Sequence, residues 1–302
     1  MPTVALITSQ YALTSPVDAD REITIIGDEL ARRGVTCLAI DWLDASADYA
    51  ACDLVVIKSP WDYASRHDEF LDWLARVEAV TRVMNPPEVI RWNMDKRYLG
   101  ELTARGVRAC PTTYCHAPDE VRRALASTSG RVVIKPNVSA ASADTGLFEP
   151  DDPGAVALAE HILASGKMVM IQPAIESVAQ VGERALIYFG DTFVHAIGKG
   201  PLLALGGGLR GDEYEESIVP AQAPADEREL ARQALATVER IFTDRGLAQV
   251  YPLLYARVDI ARDAQDRPVL MELELFEPSY FLDLAPGAEK LFVDCVVARL
   301  TT

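Results

Sequence analysis

Three glutamates, Glu272, Glu274 and Glu277, interrupt the apolar stretch LMELELFEPSYF at residues 270–281. Side chains alternate between the two faces of a β-strand, so Glu272 and Glu274 project from one face and lie close enough to repel each other. The preceding segment YARVDIARD predicts a neighbouring strand, and the polar turn DAQDR predicts antiparallel pairing that brings Asp259 close to both glutamates.

Three carboxylates on one sheet face indicate a site for a hard divalent cation. Like charges a few ångströms apart cannot all stay ionised in a desolvated site unless a positive group neutralises them. Mg²⁺ takes oxygen ligands and binds phosphates opposite one or two carboxylates. A solvated acidic strand edge is the alternative for an isolated E-x-E pair. Here Asp259 and the Leu- and Phe-rich setting favour a metal site formed by Asp259, Glu272 and Glu274.

Two lysines carry the complementary charge. Lys135 ends the predicted strand VVIKP, and Lys96 opens a predicted helix after NMD. Either lysine alone would be typical of a solvated surface, but with three carboxylates they indicate nucleotide phosphates held between lysines and metal. The chain contains neither a GxxxxGK[ST] loop nor an early GxGxxG motif. P-loop and Rossmann dinucleotide sites are therefore not supported.

The elements that must position these residues follow an α/β pattern. The first ninety residues alternate predicted strands and helices, which is typical of a parallel sheet. Pro86 and Pro87 mark a break, and a helix ending at Gly106 follows it. Next come a small α+β unit, a hairpin about Gly190 and Asp191, a glycine-rich loop, a long helix and the two acidic strands. We expect three domains, at residues 1–92, 93–175 and 176–302.

The composition excludes several classes of protein. With 45 acidic and 29 basic residues, the formal charge of -16 repels polyphosphate backbones and anionic lipid, so we expect no nucleic-acid or membrane partner. Five scattered cysteines form no C-x-x-C pair, which indicates neither a disulfide framework nor a zinc site. No secretion signal or long apolar segment is predicted. We expect a cytoplasmic protein. The sequence leaves its oligomeric state open, and a homodimer is one possibility.

Several motifs in order resemble the ATP-grasp superfamily, in the branch of glutathione synthetase and the ribosomal-protein glutamyl ligases. They are NMDKRYL, VVIKPNVSA, VMIQPAIESVAQVGERALIYFGDTFVHAIGKGP, YARVDI and MELELFEPSYFL, and they cover residues 90–285. Within that branch, SPWDY, GERALIYF, HAIGKGP and MELELFEPS look most like ligases that close O-ureido-D-serine into D-cycloserine. The resemblance implies an α/β ATP-grasp fold, in which an N-terminal parallel α/β domain precedes two α+β subdomains that sandwich ATP.

The resemblance also implies roles for individual residues. Asp259, Glu272 and Glu274 would hold one or two Mg²⁺ ions that bridge the β and γ phosphates. Arg257 would steady the transferred phosphoryl group or the acyl phosphate, and Lys199 would reach a phosphate. From its place after the acidic strand, Glu277 fits either contact with the amine of a small amino-acid substrate or a solvated turn. The residues implied to bind ATP are Lys96, Lys135, Ser139, Ser142, Gln172, Ala174, Ile175 and Glu183.

The implied reaction is ATP- and Mg²⁺-dependent activation of a small amino-acid carboxylate as an acyl phosphate, which an amine of the same molecule attacks. Two alternatives stay open: a ligase that joins two molecules, and an inactive nucleotide-binding sensor or scaffold. The complete set of lysine, arginine and carboxylate residues argues against the inactive protein. Two features depart from the superfamily pattern: Glu274 replaces a common Asn, and the loop NVSAASADTG is poor in glycine.

Some residues keep two interpretations at this stage. Ser59, Trp61, Asp62 and Tyr63 follow a predicted strand, where they fit substrate contact, and Trp61 and Tyr63 also fit packing of a corner. Ser279 and Tyr280 follow the acidic strand and fit contact with substrate. The glycine-rich residues 200–216, with Gly206, Gly207, Gly208 and Arg210, fit a closing loop or an ordinary connection. Among the histidines, His195 alone is singled out, because it lies in a strand just before Lys199.

Overall fold

The computed structural model describes residues 1–15, 19–209, 217–250 and 252–301. The first of its sheets is parallel, with strand order β2-β1-β3-β4. Its strands are β1 (Thr3–Thr8), β2 (Thr36–Asp41), β3 (Leu54–Ser59) and β4 (Val83–Met84), and its helices are α1 (Gln10–Thr14), α2 (Glu22–Arg32), α3 (His67–Glu78) and α4 (Pro87–Asn93). Strands β1 and β3 are continuous apolar runs because both of their faces are buried. The predicted parallel sheet is confirmed.

The second sheet is antiparallel, with strand order β5-β8-β6-β7. After helix α5 (Tyr98–Ala104) come β5 (Thr113–Cys115), α6 (Pro118–Ser127), β6 (Val132–Pro136), β7 (Gly146–Phe148), α7 (Pro153–Ala164) and β8 (Val169–Pro173). Helices α6 and α7 pack on this sheet through Val121, Leu125, Ala155 and Ile162. The face of the sheet that α6 and α7 do not cover lines a cavity.

The third sheet has strand order β11-β10-β9-β12-β13. Its elements are α8 (Glu176–Val181), β9 (Glu183–Phe189), β10 (Thr192–Lys199), β11 (Ile218–Ala221), α9 (Ala225–Asp244), β12 (Tyr255–Arg262), β13 (Pro268–Glu274) and α10 (Ala288–Leu300). The predicted hairpin between β9 and β10 is confirmed, and Gly190 takes a φ of 56° in its turn. Helices α2 and α10 pack together on the hydrophobic core that joins this sheet to the first one.

The outer edge of β13 is bonded mainly by side chains. The Asn93 amide group accepts a hydrogen bond from the Leu275 N–H and donates one to the Leu273 carbonyl, both at 2.7 Å. The Tyr98 hydroxyl accepts from the Leu273 N–H at 2.9 Å. Residues 108–110 add two backbone bonds nearer the start of the strand. These contacts hold the acidic strand in place from its open side.

The helix predicted to end at Gly106 is confirmed as α5, and a second helix that the sequence did not predict, α4, precedes it. The intervening residues turn because the Asp95 side chain accepts from the Arg97 N–H at 2.9 Å, a local bond that competes with helix continuation. The predicted domain boundaries stay a prediction. Within the described ranges, no helix combines the length and the apolar character needed to cross a bilayer.

A cluster of carboxylates and lysines in the main cavity

The main cavity has a volume of about 890 Å³ and is lined by strands of the second and third sheets and by segments that lie next to the first sheet. With the exception of Asp259, every residue predicted to bind ATP, to hold metal or to act in catalysis lines it. These residues are Lys96, Lys135, Ser139, Ser142, Gln172, Ala174, Ile175, Glu183, Lys199, Arg257, Glu272, Glu274 and Glu277.

The register of β12 and β13 creates the charged centre of the cavity. Arg257 pairs with Glu274, and Asp259 pairs with Glu272, in antiparallel register. Directly paired residues share one face of a sheet, and so do residues two apart in one strand. The antiparallel pairing predicted from the polar turn is therefore confirmed, and it places Asp259 opposite Glu272 and on the same face as Glu274.

Each carboxylate of the centre contacts a cation. The Lys96 ammonium lies 2.9 Å from a Glu272 carboxylate oxygen and donates to the Ser139 carbonyl at 2.8 Å. The Arg257 guanidinium donates to both oxygens of Asp259, at 2.9 and 3.0 Å, and also to Glu274.

Lys199 joins two carboxylates from different strands. Its ammonium lies 2.9 Å from Glu183 and 3.2 Å from Asp259. Asp259 is almost completely buried behind Lys199 and Arg257. In this structure the lysines implied to bind phosphate therefore form ion pairs with the carboxylates implied to bind ribose or metal.

The surroundings shift the pKa values of the three glutamates in opposite directions. Burial opposes ionisation of Glu272, but the Lys96 and Lys135 charges lower its pKa to about 2. Burial and the charges of Asp259 and Glu272 raise the pKa of Glu274 to about 7, although Arg257 partly offsets them. Burial and the charge of Glu274 raise the pKa of Glu277 well above its usual range, and a hydrogen bond with Tyr63 opposes the rise. The cavity can thus hold both an ionised and a protonated carboxyl group.

The donor set fits Mg²⁺ together with phosphate ligands. In the described ranges, no three His, Cys, Asp or Glu side chains converge closely enough to enclose a metal by themselves. Glu272 and Glu274 line the cavity, and Mg²⁺ needs only one or two carboxylates when phosphates and waters complete its shell. Asp259, directed at Arg257 and Lys199, stays a prediction as a third ligand.

The side of the cavity that the sequence predicts to hold nucleotide comes from β6, β8 and the loops that follow them. In the loop after β6, Ala141, Ser142 and Asp144 have φ values of 48°, 55° and 53°, the left-handed region that glycine prefers. The Gln172 side chain donates to the Thr112 hydroxyl at 2.8 Å. The amide of Ala174 donates to the Arg131 carbonyl at 2.8 Å.

The opposite end of the cavity is lined by Trp61, Asp62, Ser279 and other residues near the first sheet. Trp61 donates its indole N–H to the Glu277 carbonyl at 3.2 Å, and Asp62 accepts from the Trp42 indole at 2.7 Å.

Four other residues do not line the cavity. Ser59 and Tyr63 are buried, and for Tyr63 the burial matches the packing interpretation. Tyr280 is also fully buried, so its predicted contact with substrate is wrong; its ring packs on Phe189, Tyr255 and Phe292. His195 lies in β10.

Part of the glycine-rich loop is described. The N–H groups of Gly206 and Gly207 donate to the Leu147 carbonyl at 2.9 and 3.2 Å, which anchors the loop to β7. A Cβ atom at Gly207, where φ is 94°, would lie 2.9 Å from the Phe148 ring. Arg210 lies outside the described residues.

The sequence interpretation missed two groups around the cavity. One is Asn93, which bonds to the edge of β13. The other is a buried cluster of Lys58 with Asp20 and Glu22. An ionisable residue inside the apolar strand LVVIKS was the available signal for that cluster.

The chain resembles known proteins both in sequence and in structure. Residues 4–85 match the family model of the N-terminal domain of D-cycloserine synthetase DcsG. The chain is 34% identical to the cycloserine biosynthesis protein DcsG of Streptomyces lavendulae, over 99% of each chain. The crystal structure of D-cycloserine synthetase DcsG superposes with a TM-score of 0.88 at 33% identity, covering 99% of both chains.

The chain belongs to the D-cycloserine synthetase family. It is an ATP-grasp ligase, which confirms the family and the enzyme class predicted from the motif order. More distant structures share this fold. An ATP-grasp RimK domain protein from Sphaerobacter thermophilus superposes with a TM-score of 0.63 at 16% identity, covering 99% of this chain and all of that one. The D-cycloserine synthetase family thus keeps the predicted α/β ATP-grasp architecture.

Proposed function

We propose that this protein closes O-ureido-D-serine into D-cycloserine in a reaction driven by ATP and Mg²⁺. One observation carries the proposal: the lysines, arginine and carboxylates that this chemistry needs line one cavity in a full-length relative of a D-cycloserine synthetase. The distant ATP-grasp ligase PsnB, 18% identical, has been crystallised with Mg and ADP, which supports the same cofactors here.

ATP would lie between the second and third sheets. Lys96 and Lys135 would contact its phosphates, with Ser139 and Ser142 as further donors from the loop after β6. Residues 172–175 would border the adenine, and Glu183 would accept from the ribose hydroxyls. Glu272 and Glu274 would hold Mg²⁺, which neutralises phosphate charge when bound.

The chemistry needs a better electrophile than a carboxylate. The γ-phosphoryl group passes to a carboxylate oxygen of the substrate, giving ADP and an acyl phosphate. A nitrogen of the same molecule attacks the carbonyl carbon, the bond to phosphate breaks, and that nitrogen loses a proton. O-ureido-D-serine carries on its oxygen-bound nitrogen a carbamoyl group that D-cycloserine lacks. Closure at that nitrogen therefore also requires hydrolysis of the carbamoyl group by water, which releases carbon dioxide and ammonia.

Three cationic or acidic side chains would act on the reacting groups. Arg257 is fixed by its two bonds to Asp259, so it can stabilise charge on the transferred phosphoryl group without rearranging. Lys199 would contact a phosphate after exchanging a carboxylate partner. Glu277 lies between the acidic centre and Trp61, where it would face the substrate amine.

The test is a product analysis with ATP, Mg²⁺ and O-ureido-D-serine. We expect D-cycloserine by mass spectrometry, with equal amounts of ADP, phosphate and ammonia. O-ureido-L-serine and D-serine serve as matched substrates that should release little phosphate. Phosphate release without cyclic product, or an amide formed only with an added amine, would replace this proposal by an intermolecular ligase.

A further inference from the structure

A charged cluster lies buried between the first sheet and the segment that follows the acidic strand. The ammonium of Lys58, in β3, is completely buried and lies 3.0 Å from Asp20 and 2.8 Å from Glu22. Both carboxylates have side chains at most 9% exposed. Lys58 also donates to the Pro278 carbonyl at 3.1 Å.

Glu22 continues this cluster into the backbone of residues 278–282. One of its oxygens accepts from the Tyr280 N–H at 2.9 Å, and the other accepts from the Leu282 N–H at 3.0 Å. Together with the Lys58 bond to Pro278, three backbone groups of this short segment are held by side chains of the first sheet and its helix.

The segment so held forms the wall of the cavity away from the nucleotide side. Ser279 and Phe281 line that wall, and so does Ala19, the residue before Asp20. Phe281 adopts a φ of 55°, and its ring centroid lies 5.8 Å from the Arg257 guanidinium. The residues that would meet nucleotide come from other sheets, so the cluster supports one end of the cavity only.

Stability alone does not account for this arrangement. Removing one ammonium and two carboxylates from water costs more than burying apolar side chains of similar size. Two further hydrogen bonds hold Asp20 in place. Its side chain accepts from the Glu22 N–H at 3.1 Å, and its N–H donates to the Ala12 carbonyl at 2.7 Å. The cluster thus fixes the position of a segment beside the cavity, although burying its charges costs free energy.

We propose that Lys58, Asp20 and Glu22 are positioning residues that set recognition of the amino-acid substrate by fixing the wall formed by residues 278–282. The inference rests on the proposed function, because it assigns that end of the cavity to the amino acid and not to ATP. A displacement of reacting groups by one ångström can cost a hundredfold in rate, so a small shift of this wall is sufficient to change substrate use.

Glu22→Gln tests the inference with little change of volume. The amide can accept from one of the two backbone N–H groups but presents a donor to the other. We expect the KM for O-ureido-D-serine to rise about tenfold, while the KM for ATP stays within about twofold of the wild type. Asp20→Asn should act in the same direction. Equal changes in both KM values, or none, would overturn the inference.

Glu227→Gln is the matched control. Glu227 is an equally buried carboxylate that lies 2.9 Å from Arg262 and 3.2 Å from Arg184, and it does not line the cavity. It should lower the unfolding temperature without changing either KM value.

Hydrogen exchange of the full-length protein separates this inference from the proposed function. In Glu22→Gln, but not in Glu227→Gln, the amides of Tyr280 and Leu282 should exchange faster. Unchanged protection would overturn the positioning role even if the enzyme makes D-cycloserine. Lost protection in a protein whose wild type leaves O-ureido-D-serine unchanged would overturn the proposed function instead.

Discussion

Glu272 lines the cavity and contacts Lys96, which makes it the most informative single residue to change. Glu272→Gln removes a negative ligand from the proposed metal site and deprives Lys96 of its partner at 2.9 Å. We expect kcat/KM to fall at least about a hundredfold and the affinity for Mg²⁺-ATP to fall about tenfold. Phosphate release and calorimetric titration measure the two effects.

Glu239→Gln, an exposed glutamate on α9, is the matched control and should leave both values unchanged. Turnover of Glu272→Gln within about twofold of the wild type would remove Glu272 from the reaction.

His195 predicts a pH dependence of stability. Burial lowers its pKa below 6.5, and a contact with the Tyr280 backbone partly opposes the shift. The folded protein therefore favours the neutral ring. As the pH falls below 6.5 the unfolded chain binds the proton more readily, so this contribution is present above pH 6.5 and is lost on acidification. His195→Gln should flatten the fall in unfolding free energy measured in urea between neutral and mildly acidic pH.

The exposed His116 supplies the control, because His116→Gln should keep the wild-type slope. An unchanged slope in His195→Gln would mean that the ring titrates alike in both states.

At the scale of elements, the edge of β13 depends on one buried amide. Asn93→Ala leaves the Leu273 carbonyl and the Leu275 N–H without their side-chain partner. Each unsatisfied buried group costs about 1 to 3 kcal/mol, so we expect a loss of about 2 to 4 kcal/mol in the free energy of unfolding. Denaturant titration measures it.

Asn93→Asp keeps the acceptor and loses the donor, so it should lie between the wild type and Asn93→Ala. A loss below about 1 kcal/mol in Asn93→Ala would show that water replaces the amide at this edge.

Long helices and strands with a periodic apolar pattern could be predicted from the sequence. Short strands and a turn that depends on a single side-chain hydrogen bond could not. Alternating apolar residues and the polar turn were sufficient to pair β12 with β13. The break between α4 and α5 depends on one bond from the Asp95 side chain, which no periodicity reveals. Strands β7 and β11, of three and four residues, are too short to carry a pattern.

The candidate site was predictable to the extent that motifs carry it. The lysines and carboxylates sit in ordered motifs, and all of the residues predicted to bind ATP, to hold metal or to act in catalysis line the cavity, except Asp259. The burial of Asp259 behind Arg257 was not predictable, because it depends on side-chain rotamers in the folded sheet. The Lys58 cluster joins residues about 20, 58 and 280, a proximity that only the tertiary fold creates.

For the whole molecule, the charge distribution predicts how ligands add stability. The chain carries a formal charge of -16, yet Lys96, Lys199 and Arg257 already neutralise the carboxylates of the cavity. Mg²⁺ without nucleotide must compete with these cations, whereas ATP offers the lysines phosphates in exchange. We expect Mg²⁺ alone to shift the unfolding temperature little. Mg²⁺-ATP at a hundred times its Kd should add about 2.7 kcal/mol.

Ca²⁺ in place of Mg²⁺, without nucleotide, controls for general ionic effects. A shift with Mg²⁺ alone as large as that with Mg²⁺-ATP would indicate a metal site that forms before phosphate arrives.

The bonds that Asn93 and Tyr98 make to β13 also bear on self-association. An unprotected outermost strand offers its amides and carbonyls to any extended segment of another molecule, and that is a common route to aggregation. Here the donors and acceptors of Leu273 are already taken by the protein's own side chains. Side chains at one end of the acidic strand and the backbone of residues 108–110 at the other therefore close this edge to invading chains.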